Sequence, residues 1–203
     1  MTQRVELATV MDRLAVDGLV TEYAAAVDDG DWQAYRELFT PDGRADYRSA
    51  GGIEGDADQI ATWLERTMRL FPVRQHLIMN RHLRFGTLAH DVGDTARVRA
   101  DYVNPMRLAE TERLAATDHL AATDHLAATD HLAATDHLAA TDHLAGTDHL
   151  AGMADGPSAP GFVCGGRYAF AFLRTEEGWR LHEVVVREKW RSLFRQPDQE
   201  TAT

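Results

Sequence analysis

Six near-identical copies of Leu-Ala-(Ala/Gly)-Thr-Asp-His run without interruption from Leu114 to His149 and supply six of the ten histidines. A short exact repeat within an otherwise non-repetitive chain is an expansion, and it divides the sequence into a domain and an insertion. In a helix a six-residue period advances 600°, so successive leucines fall 120° apart and build no single apolar stripe. Three readings of the tract stay open: an exposed weak helix or loop, a metal-binding tract, and a hexad β-coil. Asp and His are competent metal ligands, but this spacing spreads them around a helix rather than onto one face, and no metal is expected. Three hexads per coil would give only about two coils, too few to stand alone.

Setting the 36 repeat residues aside leaves 167 of 203, one domain of ordinary size. The repeat carries six Asp and no Lys or Arg, so its removal takes the net charge from -11 to -5. No basic stripe remains for a nucleic acid or an anionic membrane surface. Cys164 is the only cysteine, which excludes an intrachain disulfide and a thiolate metal cluster and fits a reducing cytoplasm. No apolar run approaches the ~20 residues of a membrane span, and the first residues have no signal-peptide core.

Between Glu6 and Val27 the apolar residues Val16, Val20, Tyr23 and Val27 recur in steps of four and three, which predicts a helix ending in Asp28-Asp29-Gly30-Asp31. A second, short helix carries Trp32, Tyr35, Leu38 and Phe39, with Asp31 as its cap and Pro41-Asp42-Gly43 as its stop. A strand over 44–48 follows. The third helix opens on Asp56, with Gln59 completing a capping box. After Pro72 the period becomes two. In the strand 76–85, Leu77, Met79, Leu83 and Phe85 share one face and His76, Ile78, Asn80 and His82 the other. The next strand, 95–103, is expected to break at Asn104-Pro105. A hairpin of 166–173 and 179–190 closes the domain. The expected organisation is a single domain over 1–195, an inserted loop over 106–164 containing the repeat 114–149, and a frayed tail over 196–203. The fold class is α+β, with three N-terminal helices on one face of a curved antiparallel sheet.

The segments Tyr23-Ala-Ala-Ala-Val-Asp28-Asp-Gly-Asp-Trp32, Leu38-Phe39-Thr-Pro-Asp42-Gly, Gly55-Asp-Ala-Asp-Gln-Ile60, Gln75-His76, Gly166-Arg-Tyr168 and Arg174-Thr-Glu-Glu-Gly178-Trp179 together resemble the SnoaL-like branch of the nuclear-transport-factor-2-like superfamily. The resemblance implies a cone-shaped α+β barrel with a pocket at its open end. Its scytalone dehydratase, bile acid dehydratase and dehydrochlorinase members share an Asp at the end of the first helix and a His at the start of a sheet strand, matched here by Asp28 and His76. Tyr23 matches a tyrosine of the dehydratases and Arg174 an arginine of the dehydrochlorinase pocket. Where scytalone dehydratase carries a second histidine, this chain offers Ala100, Asp101 or Tyr102.

The chemistry of such a set is a proton abstraction. An imidazole titrates near neutrality, so His76 is the candidate base, Asp28 the group that fixes its tautomer, and Tyr23 the donor to a developing oxyanion. Arg174, Asn80, His82 and Tyr102 are the candidate substrate-binding residues. The leading expectation is a cofactor-independent lyase of the dehydratase type acting on a small hydrophobic carbonyl compound. An isomerase or polyketide cyclase using the same dyad, and a non-catalytic binding or assembly module, are the alternatives. The resemblance further implies a homodimer or homotrimer.

Overall fold

The computed structural model describes residues 2–108 and 161–194; the hexad repeat and the tail fall outside them. Helix α1 (Thr2–Asp29) turns Val16, Leu19, Val20, Tyr23 and Val27 into the core. It ends as expected: Gly30 takes a positive φ of 72°, and the N–H of Asp31 reaches back to the carbonyl of Ala26 at 2.9 Å. On the opposite side of its first half, Leu7, Val10, Met11 and Leu14 are exposed. Helix α2 (Trp32–Glu37) is capped by Asp31, whose carboxylate accepts the N–H of Ala34. Helix α3 (Ala57–Met68) opens on the full capping box of Asp56 and Gln59 and buries Ile60, Ala61, Leu64 and Met68.

Seven strands, β1 (Phe39–Asp46), β2 (Glu54–Asp56), β3 (Val73–Arg74), β4 (Leu77–Phe85), β5 (Thr95–Arg107), β6 (Gly161–Thr175) and β7 (Gly178–Phe194), form one curled sheet in the order β2-β1-β7-β6-β5-β3, with β4 also on β5. The sheet is mixed rather than purely antiparallel. β1 lies parallel to β7, because the chain reaches that edge only after crossing the whole sheet. The inner face carries Val98, Ala100 and Tyr102 from β5, Tyr168, Phe170 and Phe172 from β6, and Leu181, Val184 and Val186 from β7.

Three local expectations change. Helix α2 stops at Glu37, short of Pro41-Asp42-Gly43, and Phe39 and that tripeptide lie inside β1, where the pairing with β7 is irregular between Phe39 and Arg44. Asn104-Pro105 does not break β5, which pairs with β6 as far as Arg107 opposite Gly161. Pro105 stands where the neighbour changes from β4 to β3, between Leu77 opposite Val103 and Arg74 opposite Met106. Its carbonyl faces that break and accepts the N–H of Gln75, so the missing proline N–H is asked for by no partner strand. The sheet thus claims residues 106–107 and 161–164 from the expected loop.

The third change concerns β4. Asn80 has φ 52°, and one extra residue sits in β4 between Met79 opposite Asp101 and His82 opposite Arg99. This bulge inverts the face of everything before it relative to everything after. Ile78, Leu83 and Phe85 therefore pack on the core together, while Leu77 and Met79 are 42% and 39% exposed.

Candidate functional site

The site begins where α1 ends. Arg74 donates through Nε to the carbonyl of Val27 and through Nη1 to those of Met68 and Phe71, tying the last turns of α1 and α3 to the segment that leads into β4. Carbonyls at helix ends lack intrahelical partners, and a guanidinium satisfies several at once. Two residues later His76 is held against Asp28. Asp28 Oδ2 accepts the backbone N–H of His76 at 2.8 Å, and Oδ1 lies 2.5 Å from the ring Nδ1. With Nδ1–H committed to the carboxylate, Nε2 is the ring nitrogen left with a lone pair for a ligand.

His76 lines a pocket of about 300 Å³ between α3 and the inner face of the sheet. Trp63, Phe71, Phe162, Tyr102 and Tyr168 make its walls aromatic. The polar lining residues are Thr67, His76, Asn104, Cys164, the tyrosines Tyr47, Tyr102 and Tyr168, and the ion pair of Glu188 with Arg191. Glu188 and Arg191 meet as a fork, with Nε on Oε1 and Nη2 on Oε2, both at 2.9 Å. A bulge places them there: Gly165 stands opposite Trp190 and Gly166 opposite Glu188. A Cβ on Gly166 would lie 2.2 Å from the carbonyl oxygen of Arg187, so this close backbone approach requires glycine.

Tyr23 does not line the pocket. Its hydroxyl hydrogen bonds to that of Tyr47, which also lies 3.3 Å from the Tyr35 hydroxyl, so Tyr47 is the member of this buried set that faces the cavity. Burial, aided by neighbouring hydroxyls, holds the Tyr23 and Tyr47 phenols well above their ordinary value, and burial raises Tyr35 and Tyr168 as well. All four are neutral donors at physiological pH. Cys164, another lining residue, is likewise pushed up by burial to about 12 and is a thiol rather than a nucleophilic thiolate.

Of the four residues expected to bind substrate, Tyr102 is in the pocket wall. The other three are elsewhere. The β4 bulge turns Asn80 and His82 to the outer face of the sheet, where Asn80 Nδ2 meets Asp101 at 3.3 Å and His82 borders a separate depression of about 480 Å³ with Arg97 and Arg99. Arg174 is drawn to two buried carboxylates, contacting Asp12 through Nη2 and Asp94 through Nε at 3.2 Å, and it stacks on Trp179. Asp12 also accepts from Trp179 Nε1 at 3.1 Å and pairs with His90 Nδ1 at 2.9 Å. This polar cluster ties α1 to the β6–β7 hairpin.

Tyr47, Asn104, Glu188 and Arg191 were not singled out from the sequence. Alternation along β1 beyond Ala45 points Tyr47 inward, and alternation along β5 does the same for Asn104, had the strand not been expected to stop there. Alternation with the inward Val184 and Val186 also points Glu188 to the inner face, whereas no simple period finds Arg191, which owes its direction to the bulge between Glu188 and Trp190.

The fold and this pocket define a small α+β domain whose curled sheet and third helix line one aromatic cavity. The SnoaL-like domain family matches residues 8–131, more than half of the chain, and the chain belongs to it. The uncharacterized protein Rv2910c of Mycobacterium tuberculosis is 36% identical over 103 residues, 51% of this chain and 66% of that protein, so the match spans just under two thirds of that relative. Among solved structures, the hexachlorocyclohexane dehydrochlorinase LinA-type3 of Novosphingobium barchaimii superposes with a TM-score of 0.59 at 12% identity, over 95% of this chain and 99% of that one. A candidate aromatic ring hydroxylase of Novosphingobium aromaticivorans gives 0.60 at 19% identity, over 91% and 94%. At these identities the likeness to the two structures is one of fold. Among the described residues no helix is long and apolar enough to cross a membrane.

Proposed function

We propose that the protein is a cofactor-independent lyase that eliminates water from a small, flat, largely apolar β-hydroxy carbonyl compound. The observation that carries this reading is the Asp28–His76 pair, joined at 2.5 Å, with the histidine on the wall of an aromatic pocket. His76 Nε2 removes the proton alpha to the carbonyl, and the electron pair moves onto the carbonyl oxygen as an enolate. The Tyr47 hydroxyl, backed by Tyr23 and Tyr35, donates to that oxygen. The enolate then re-forms its carbonyl as the bond from the β-carbon to its hydroxyl breaks, and the imidazolium of His76 returns its proton to the leaving hydroxide as water. Asp28 stabilises the imidazolium in between and is positioned by the end of α1. An aromatic enclosure strengthens each of these charge interactions by excluding solvent.

The test is a screen of bicyclic β-hydroxy ketones for loss of one water by mass, followed by His76→Gln in the enzyme that turns one over. Turnover should fall by at least about 10³-fold with the fold intact by circular dichroism. Undiminished turnover in the variant removes the assignment.

A further inference from the structure

Asn104 is 3% exposed, lies on the wall of the His76 pocket, and keeps a buried Oδ1 that no described residue hydrogen bonds. The Tyr168 hydroxyl is a side-chain neighbour of this amide. The other polar groups nearby are already committed. Arg191 is engaged by Glu188 and by the carbonyl of Ala50, and the Cys164 thiol points at the Asn104 backbone carbonyl at 3.9 Å rather than at its side chain. Buried acceptors in folded proteins are satisfied in the great majority of cases, and an unpartnered one on a residue that lines a cavity is the acceptor nearest to hand for a donor on whatever fills that cavity.

A ligand that occupies the pocket expels water from this wall, and an apolar surface set against Oδ1 would leave the acceptor stranded. We infer that Asn104 determines specificity: it accepts a hydrogen bond from a hydroxyl or N–H of the ligand, and the site therefore takes flat, mostly apolar molecules that carry such a donor. The inference rests on the reading of this pocket as the ligand site but not on the reaction carried out there. Sites built around a buried polar group discriminate strongly against analogues that lack its partner. The ligand thus meets two polar fixed points, a donor for its carbonyl at Tyr47 and an acceptor for its hydroxyl at Asn104, with aromatic rings between them.

The experiment compares 2-naphthol, which has an O–H donor, with 2-methoxynaphthalene, which offers the same rings and only an acceptor. Dissociation constants are measured by calorimetry on the wild type, Asn104→Leu, Asn104→Asp and His76→Ala, each checked for a native circular dichroism spectrum. The wild type should favour naphthol by roughly tenfold or more, Asn104→Leu should lower that preference to within about twofold, and Asn104→Asp should keep it. His76→Ala should also keep it, which separates recognition at Asn104 from a phenol bound to the imidazole. Equal affinity of the wild type for both probes, binding of neither, or a preference that survives Asn104→Leu overturns the proposal. Turnover that does not depend on His76, alongside an Asn104-dependent preference, would overturn the lyase reading and leave this one standing.

Discussion

Asp28 holds His76 through both of its oxygens, one on the ring Nδ1 at 2.5 Å and the other on the backbone N–H at 2.8 Å. The carboxylate therefore fixes the histidine's ring orientation and its backbone position together. An asparagine at this place has one acceptor oxygen for two donors, so it can satisfy the ring or the backbone but not both. Asp28→Asn is expected to lower kcat/KM on a β-hydroxy ketone by about 10²–10⁴-fold while changing stability little, and Asp28→Ala to cost stability as well. Steady-state kinetics with thermal unfolding of both variants tests this; a near-native kcat/KM in Asp28→Asn would show that the pair is structural.

Tyr47 and Tyr23 share a hydrogen bond, but only Tyr47 reaches the cavity. Tyr47→Phe should therefore lose about 10–10³-fold in kcat, because it removes the donor at the developing oxyanion. Tyr23→Phe should lose less than about tenfold and instead cost about 1 kcal/mol of stability, the ordinary worth of a buried hydroxyl's hydrogen bond. Since burial raises both phenols well above their ordinary value, neither variant should shift the alkaline limb of a pH–rate profile below pH 10. A larger kinetic loss in Tyr23→Phe than in Tyr47→Phe would reverse the two roles.

The contact of Asp28 with His76 was legible in the sequence because each partner sits at a punctuation mark: Asp28 just before the Gly30 stop of α1, His76 just where the period changes from 3.6 to 2. The caps at Asp31 and Asp56 were legible for the same reason, being local chemistry written within three residues. The pocket wall was less so. Alternation assigns a face only while the register is regular, and the single bulge at Asn80 moved Asn80 and His82 to the outer surface. Pro105 hid the last four residues of β5, Asn104 among them, because whether proline breaks a ladder depends on which side of the strand lacks a partner. Arg174 matched a pocket arginine in order along the chain, yet its neighbour in space is Asp12, 162 positions away, a relation that no local pattern records.

The Asp12 cluster predicts acid lability. Burial alone would raise both Asp12 and Asp94, but bonds from Arg174, Trp179 and His90 outweigh it at Asp12, and backbone N–H bonds around Ala89 and Asp91 outweigh it at Asp94, so both folded-state values lie below the ordinary 3.8. Groups lowered in this way contribute stability that is complete above the unfolded value and is lost as pH falls through it toward the folded one. The thermal midpoint should hold between pH 7 and pH 5 and fall steeply below about pH 4. Asp12→Ala, which leaves Arg174 with Asp94 alone and takes the acceptor from Trp179 Nε1, should cost about 1–3 kcal/mol at pH 7 and flatten the acid slope. A slope as steep as that of the wild type would place the acid-sensitive groups elsewhere.

Removing hexads should not harm the domain, because β5 and β6 are already paired up to Arg107 and Gly161 without them. Closing a loop costs about (3/2)RT ln n, so cutting Leu114–His143 from the 53 residues between these strand ends, which leaves 23, should stabilise the fold by about 0.7 kcal/mol. For a domain of this size that is a rise of about 2–3 °C in the thermal midpoint, with kcat/KM unchanged. A fall in the midpoint would mean that the hexads pack on the domain, and a loss of turnover with the midpoint intact would mean that they act at the pocket.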